Sequence, residues 1–270
     1  MVDSRPWRRG TGVISGAGGD AMPLYSGEAL VLRTYKLGEA DRIVVFLTRD
    51  RGKKRGVAKG ARRVRSRFLG ALEPLTRVSI AYYEREHREL VRLGNAEPLR
   101  SPLAAQQPDA FGYAAYFAAL LDEWLPEGDV HERVYRLGIT TLDALTEDVA
   151  LDALARYFEY WLLRLQGVYP SIEHCARCRR DLGSAACLVA RDHSFLCARC
   201  APGEGGVAVS TEAFDFLRRS ARVPPAALGG VPLGPRAVRE LDAAHRALLA
   251  WHLEKDPKPG RVLREIQPER

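Results

Sequence analysis

Four cysteines stand as two Cys-x-x-Cys pairs, Cys175 with Cys178 and Cys197 with Cys200, with eighteen residues between the pairs. A Cys-x-x-Cys turn is short enough to aim two thiolates at one ion, and two such turns complete the tetrahedron that zinc prefers, with Zn–S bonds of about 2.3 Å. Four sulfur ligands leave no open coordination position, so the expectation is one structural Zn2+ that holds the chain and activates no water. A redox dithiol is the competing reading of the same spacing. Cys187, the fifth cysteine, has no such partner and reads as a small apolar residue. His174 and His193 lie close by, but the four cysteines already satisfy an ion.

The second concentration of chemistry is cationic. RDRGKKRGVAKGARRVRSR (49–67) contains Arg49, Arg51, Lys53, Lys54, Arg55, Lys59, Arg62, Arg63, Arg65 and Arg67, opposed only by Asp50. Ten like charges this close repel one another unless a polyanion or solvent screens them. A nucleic-acid backbone answers that need, because each neutralised phosphate releases condensed counterions. Lys53, Lys54, Arg55, Lys59, Arg62, Arg63, Arg65 and Arg67 are therefore the candidate nucleic-acid contacts, and an acidic protein surface is the other partner that charge alone allows. The bias is regional: residues 1–100 carry 21 Lys plus Arg against 11 Asp plus Glu, and the remainder 20 against 23.

Motifs of catalysis are missing. The chain has no G-x-x-x-x-G-K-[ST], H-E-x-x-H or G-x-S-x-G, and no compact carboxylate set for two-metal chemistry. Gly16–Gly19 resembles a phosphate loop only in composition, since no strand precedes it and no helix follows. The expectation is a binding protein and not an enzyme. Composition is that of a globular protein, 46% apolar and 28% charged. No apolar run approaches the roughly 18 residues that cross a bilayer, so the chain is placed in the cytoplasm, where thiols remain reduced and paired cysteines bind metals.

These groups need a scaffold. Glu28–Tyr35 and Asp41–Thr48 are rich in β-branched and apolar residues around a Lys-Leu-Gly-Glu turn, LTRVSIAYYE alternates, and HRELVRLGNAE closes the set. Five short strands joined by charged turns predict a small antiparallel barrel over 24–100, an OB-fold or its SH3-like cousin, with the basic block as a loop. OB-folds bind single strands by a basic groove and stacking aromatics; Tyr35, Phe46, Phe68, Tyr82 and Tyr83 are available, most of them needed as core. Helical periods then begin at PDAFGYAAYFAALLDEWL, HERVYRLGITTLDAL and DVALDALARYFEYWLLRLQG, ending at Gly167. STEAFDFLRRSAR (210–222) and PRAVRELDAAHRALLAWHLEK (235–255) supply two further helices. The fold class is α+β: a 1–23 extension, the barrel at 24–100, a helical bundle in two parts (101–167 and 208–256), a zinc-binding insertion at 168–207, and a flexible tail at 257–270.

VAKGARR (57–63), GALEP (70–74) and FEYWLLRLQG (158–167) running into the paired cysteines resemble the bacterial RecO family of DNA repair proteins. The resemblance runs from about residue 24 to the final helix. It implies an N-terminal OB-fold, a helical domain and a four-cysteine zinc site in many members. It further implies a non-enzymatic role: binding single- and double-stranded DNA, annealing complementary strands and, with RecR, assisting RecA to load on strands coated by SSB, in association with the nucleoid. By position, Arg156 matches a basic residue of the pocket that holds the acidic, Phe-ended tail of SSB. The family's chains usually start just before the first strand, so residues 1–21 read as a disordered extension or a misassigned start ahead of Met22. Two alternatives stay open on the residues alone: a zinc-ribbon adaptor that binds only proteins through its basic block, and a metal-dependent nuclease.

Overall fold

A computed structural model describes residues 23–85, 88–147, 149–183 and 185–253; the expected N-terminal extension and C-terminal tail lie outside these. Alternation of small, branched and aromatic residues from Leu24 onwards produces five strands: β1 (Leu24–Leu37), β2 (Asp41–Thr48), β3 (Gly52–Ala58), β4 (Arg77–Tyr83) and β5 (Leu90–Arg100). They close into a barrel in the order β1-β2-β3-β5-β4, antiparallel except for the β3–β5 pair. That is the OB-like arrangement. Closure depends on β1, which is longer than the sequence pattern implied: Leu24–Leu30 pairs with β4 and Ala29–Leu37 with β2, and a register shift between Val31 and Arg33 turns it from one to the other.

Both faces of the first strands are apolar, and each fills a different core. Ala29, Val31, Val44 and Phe46 point into the barrel with Phe68, Leu72, Ile80 and Tyr82. Leu30, Leu32, Val45 and Leu47 point outward and join the core of the helices. Strand periodicity of two thus puts one row inside the barrel and the next against its neighbour.

The helices are α1 (Ala110–Trp124), α2 (Glu132–Leu145), α3 (Leu151–Leu165), α4 (Thr211–Ser220) and α5 (Pro235–Leu253), each at a segment whose apolar spacing predicted it. Gly167, at φ +74, ends α3 as expected. Its N–H donates to the Arg164 carbonyl and that of Val168 to the Leu163 carbonyl, a Schellman cap that only a residue at ease in left-handed backbone closes cheaply.

Between α3 and α4 the chain forms a small sheet of β6 (Ala185–Val189), β7 (Ser194–Cys197) and β8 (Val207–Ser210), ordered β7-β6-β8. The sequence pattern placed no strand here, because these strands are only four or five residues long. Leu182, Leu188, Val189, Phe195 and Leu196 of the insertion, and Val209 just after it, are all buried in the helical core. Among the described residues no helix is long and apolar enough to cross a membrane.

Candidate nucleic-acid interface and metal centre

The cationic block is not one loop. Its first half runs through β3, and there every charge is already engaged within the chain. Arg49 Nη2 lies 2.9 Å from Glu132 Oε1, and the Arg51 guanidinium sits 3.7 Å over the Tyr25 ring. Lys53 is only 8% exposed; its Nζ donates to the Asp122 carbonyl at 2.5 Å and to Oδ1 at 3.3 Å. Lys54 pairs with Glu84 at 2.6 Å and Arg55 with Glu127 at 3.6 Å. The acids at 122, 127 and 132 belong to α1, the turn after it and the start of α2, so this half of the block fastens the barrel to the helices. Gly52 permits the approach: its φ is +67, and a Cβ there would lie 2.1 Å from the Asp129 carbonyl oxygen.

The second half is a true loop whose charges meet no acid among the described residues, although the Arg67 guanidinium lies 5.1 Å over the Phe68 ring. Lys59, Arg62, Arg63, Arg65 and Arg67 are exposed, and none has a carboxylate partner among the described residues. The loop is nevertheless held: Gly60 N–H donates to Asp41 Oδ1 at 2.7 Å, Arg62 N–H to the Ala40 carbonyl at 2.9 Å and Arg62 Nη1 to the Gly38 carbonyl at 2.9 Å. These contacts lay it against the β1–β2 turn, beside exposed Lys36. Of the five aromatics considered for stacking, Phe46, Phe68 and Tyr82 are core and Tyr83 is half-buried, whereas Tyr35 is 41% exposed on β1 at this end of the barrel. What this surface offers is concentrated, unpaired positive charge next to one accessible aromatic face.

The four predicted cysteines come together. The sulfurs of Cys175, Cys178, Cys197 and Cys200 all lie within 4.8 Å of one another, and Cys178 Sγ is 3.7 Å from Cys197 Sγ. That separation is close to the roughly 3.8 Å edge of a tetrahedron with 2.3 Å arms and too long for a disulfide. Each knuckle is shaped by its own turn: the Arg179 N–H donates to the Cys175 carbonyl at 2.9 Å, and the Cys200 and Ala201 N–H groups to the Cys197 carbonyl at 2.9 and 3.0 Å. Burial opposes ionisation of Cys175, but N–H groups of Cys178, Cys197 and Arg177 outweigh it and bring the thiol down to about 6. Burial and hydrogen bonding to the other three sulfurs push Cys200 up to about 12. Four thiols so close cannot all ionise without a cation among them. The donor set therefore fits a thiolate-bound metal ion, and with all four positions filled by protein it fits a holding role. Cys187 stays outside the cluster; its sulfur faces Gly206, where a Cβ would come within 2.7 Å.

Arg156 is not on a surface. It is 3% exposed, with Nη2 2.9 Å from Glu159 Oε1 and Nη1 2.7 Å from Asp242 Oδ1. A guanidinium bound twice and buried offers nothing to an incoming peptide, which corrects its expected place in a tail-binding pocket. The expectation came from position in the family resemblance, which does not show burial; its partners are one turn along α3 and on α5. A cavity of about 720 Å³ does open nearby, lined by Tyr160, Tyr169, Pro170 and Ile172 with Arg164, Arg218 and Arg222. No sequence motif pointed to it, because its walls come from three separate segments.

Comparison with known proteins places these features in a lineage. The family model described as Recombination protein O N terminal matches residues 22–102, and that described as Recombination protein O C terminal matches residues 105–261. A DNA repair protein RecO of Koribacter versatilis is 36% identical over 86% of this chain and 95% of its own length. Proteins of the same name from Geobacter metallireducens and Anaeromyxobacter sp. are 33% and 35% identical, over 90% and 88% of this chain and 98% and 95% of their own.

Proposed function

The chain belongs to the RecO family of DNA repair proteins, and from that membership we propose that it is a non-enzymatic recombination mediator acting on DNA in the cytoplasm, at the nucleoid. It binds single- and double-stranded DNA, anneals complementary strands and, with RecR, assists RecA onto SSB-coated DNA. The observation that carries this reading is the loop Lys59–Arg67, whose five cations are exposed and have no carboxylate partner among the described residues. Lys53, Lys54 and Arg55 are left out: Lys53 is buried, and Lys54 and Arg55 are already paired with Glu84 and Glu127.

The mechanism is electrostatic. Two complementary strands repel through their phosphates; a surface that neutralises both lets bases meet, and released counterions supply the driving force. Tyr35 gives a base a face to stack on without reading its identity. Zn2+ is the proposed ion at the four cysteines, and when bound it ties the two knuckles together and supplies no reacting centre. Cys175 and Cys178 hold one side of it, Cys197 and Cys200 the other.

The acidic SSB tail is assigned to the cavity of Tyr160, Tyr169 and Ile172, not to Arg156. Tyr160, Tyr169 and Ile172 meet the terminal aromatic ring, and Arg164, Arg218 and Arg222 outnumber the one acid of the lining, Glu173; Arg222 is exposed and has no carboxylate partner among the described residues. The test is annealing of complementary labelled oligonucleotides with and without the protein. Faster annealing, with strands of unchanged length after incubation with Mg2+ or Mn2+, is the expected result. No effect on annealing would return the chain to the protein-only adaptor, and shortened strands would make it a nuclease. For the tail, Arg222→Ala weakens an SSB tail peptide in a fluorescence anisotropy titration; unchanged affinity would reject the cavity.

A further inference from the structure

Val64 is 93% exposed and Leu69 is 76% exposed, the two highest values among the large apolar side chains of the described residues. Scattered apolar residues on a surface need no account. These two share one short loop whose other long side chains are Arg62, Arg63, Arg65 and Arg67. The loop between them is anchored: Phe68 is buried in the barrel core with Ala71 and Leu72, and its N–H donates to Ser66 Oγ at 3.2 Å. With Gly60 and Arg62 tied to the β1–β2 turn, the backbone is fixed on both sides of Val64. Val64 is moreover β-branched and stiff about χ1. An apolar point on a fixed backbone is thereby presented outward in a loop that also exposes four arginines.

Those arginines decide what can meet that point. A second copy of the loop would bring like charges together, and an apolar protein surface would leave the arginines unmatched. A stack of bases between phosphates offers apolar planes flanked by anions, complementary in both charge and polarity. Accepting the DNA-binding reading above, on which this rests, we infer that Val64 and Leu69 form an apolar wedge that enters between neighbouring bases while Arg62, Arg63, Arg65 and Arg67 hold the flanking phosphates. Side chains of this kind unstack a base step and kink the strand in proteins that grip DNA without reading sequence. In a protein that brings strands together, opening a stacked step frees base edges for a new partner.

The test uses duplex and single-stranded oligonucleotides carrying one 2-aminopurine, whose fluorescence rises when it is unstacked, with the full chain and a Val64→Ala, Leu69→Ala double variant. Both side chains are solvated, so the variant keeps the wild-type melting temperature. The expected result is a fluorescence rise with wild type that falls several-fold in the variant, while the salt dependence of binding is unchanged because every cation remains. Val64→Phe, with a larger wedge, raises the signal above wild type. Equal signals from wild type and the double variant, or a wild-type protein that binds without any rise, would overturn the wedge and leave DNA binding standing. A shallower salt slope in the double variant would also overturn it, since the residues would then only shape the loop. Failure of wild type to bind either oligonucleotide would instead sink the DNA-binding reading itself.

Discussion

His245 is fully buried and shares a polar network with Arg156, Glu159, Tyr116 and Tyr169 at the meeting of α1, α3 and α5. With its proton on Nδ1 it donates to Glu159 Oε2 at 2.8 Å and accepts from the Tyr169 hydroxyl at Nε2, 3.0 Å away; Glu159 also accepts from the Tyr116 hydroxyl. Burial lowers the His245 pKa more than the adjacent Glu159 raises it. The unfolded chain therefore takes up a proton near pH 6.5 while the folded chain still resists, so stability present above that pH is lost as pH falls below it, by up to about 1.4 kcal/mol per unit. Urea denaturation at pH 7.5 and 5.5 should show wild type weakened at the lower value and His245→Gln weakened less; equal losses would contradict the assignment. Arg156→Ala leaves the buried Glu159 carboxylate without its cation, while part-exposed Asp242 keeps Arg246, and should cost about 3–5 kcal/mol, read by the same denaturation. Nothing near Arg156 in the sequence announced this. Glu159 sits one turn away, where an exposed pair is equally at home, and Asp242 is on another helix altogether. Cysteine chemistry is legible because its spacing encodes its geometry, whereas a buried ion pair is encoded only in the fold that brings its members together.

At the scale of elements, the same physics separates what was readable from what was not. Strand and helix periods placed the barrel and all five helices, since each buries a face with its own repeat. The sheet β7-β6-β8 was hidden in strands too short to show one. It links the metal knuckles to the core: Cys197 ends β7 and Cys175 is itself buried, while Leu188 of β6 and Val209 of β8 pack among the helices. The two turns touch through the Ala176 N–H on the Phe195 carbonyl and Arg177 Nη1 on the Cys200 carbonyl, and an ion held by all four sulfurs would add the tie at Cys178 and Cys200, which lie toward the surface. A chelator should lower the melting temperature and expose residues 168–207 to limited proteolysis first. The barrel, whose interior contains no residue of that segment, should keep its salt-dependent DNA binding in the initial phase. Loss of DNA binding at the same chelator concentration as the first cleavage would contradict this division. Metal analysis of the purified chain should give one zinc per molecule.

Across the whole molecule, a charge count and a charge map differ. The excess in residues 49–67 reads as one polyanion site, yet the fold engages the part up to Arg55 with acids of the helical unit, with Glu84 of the barrel and with one aromatic ring, and leaves the part from Lys59 without a carboxylate partner among the described residues. Those acids are up to 83 residues away in sequence, as for Arg49 and Glu132, so no local reading could have made the distinction. Leu30, Leu32, Val45 and Leu47 complete the junction from the apolar side, and the barrel is thereby held with its free loop at the β1–β2 end. The account rests on that partition. It is tested most directly by the slope of log affinity for single-stranded DNA against log salt in two variants, Arg62→Ala/Arg63→Ala/Arg65→Ala and Arg49→Ala/Arg55→Ala. Three lost phosphate contacts should reduce the slope by about 2 units in the first variant, and the second should keep the wild-type slope because its arginines are already paired. An unchanged slope in the loop variant, or an equal reduction in both, would contradict the account.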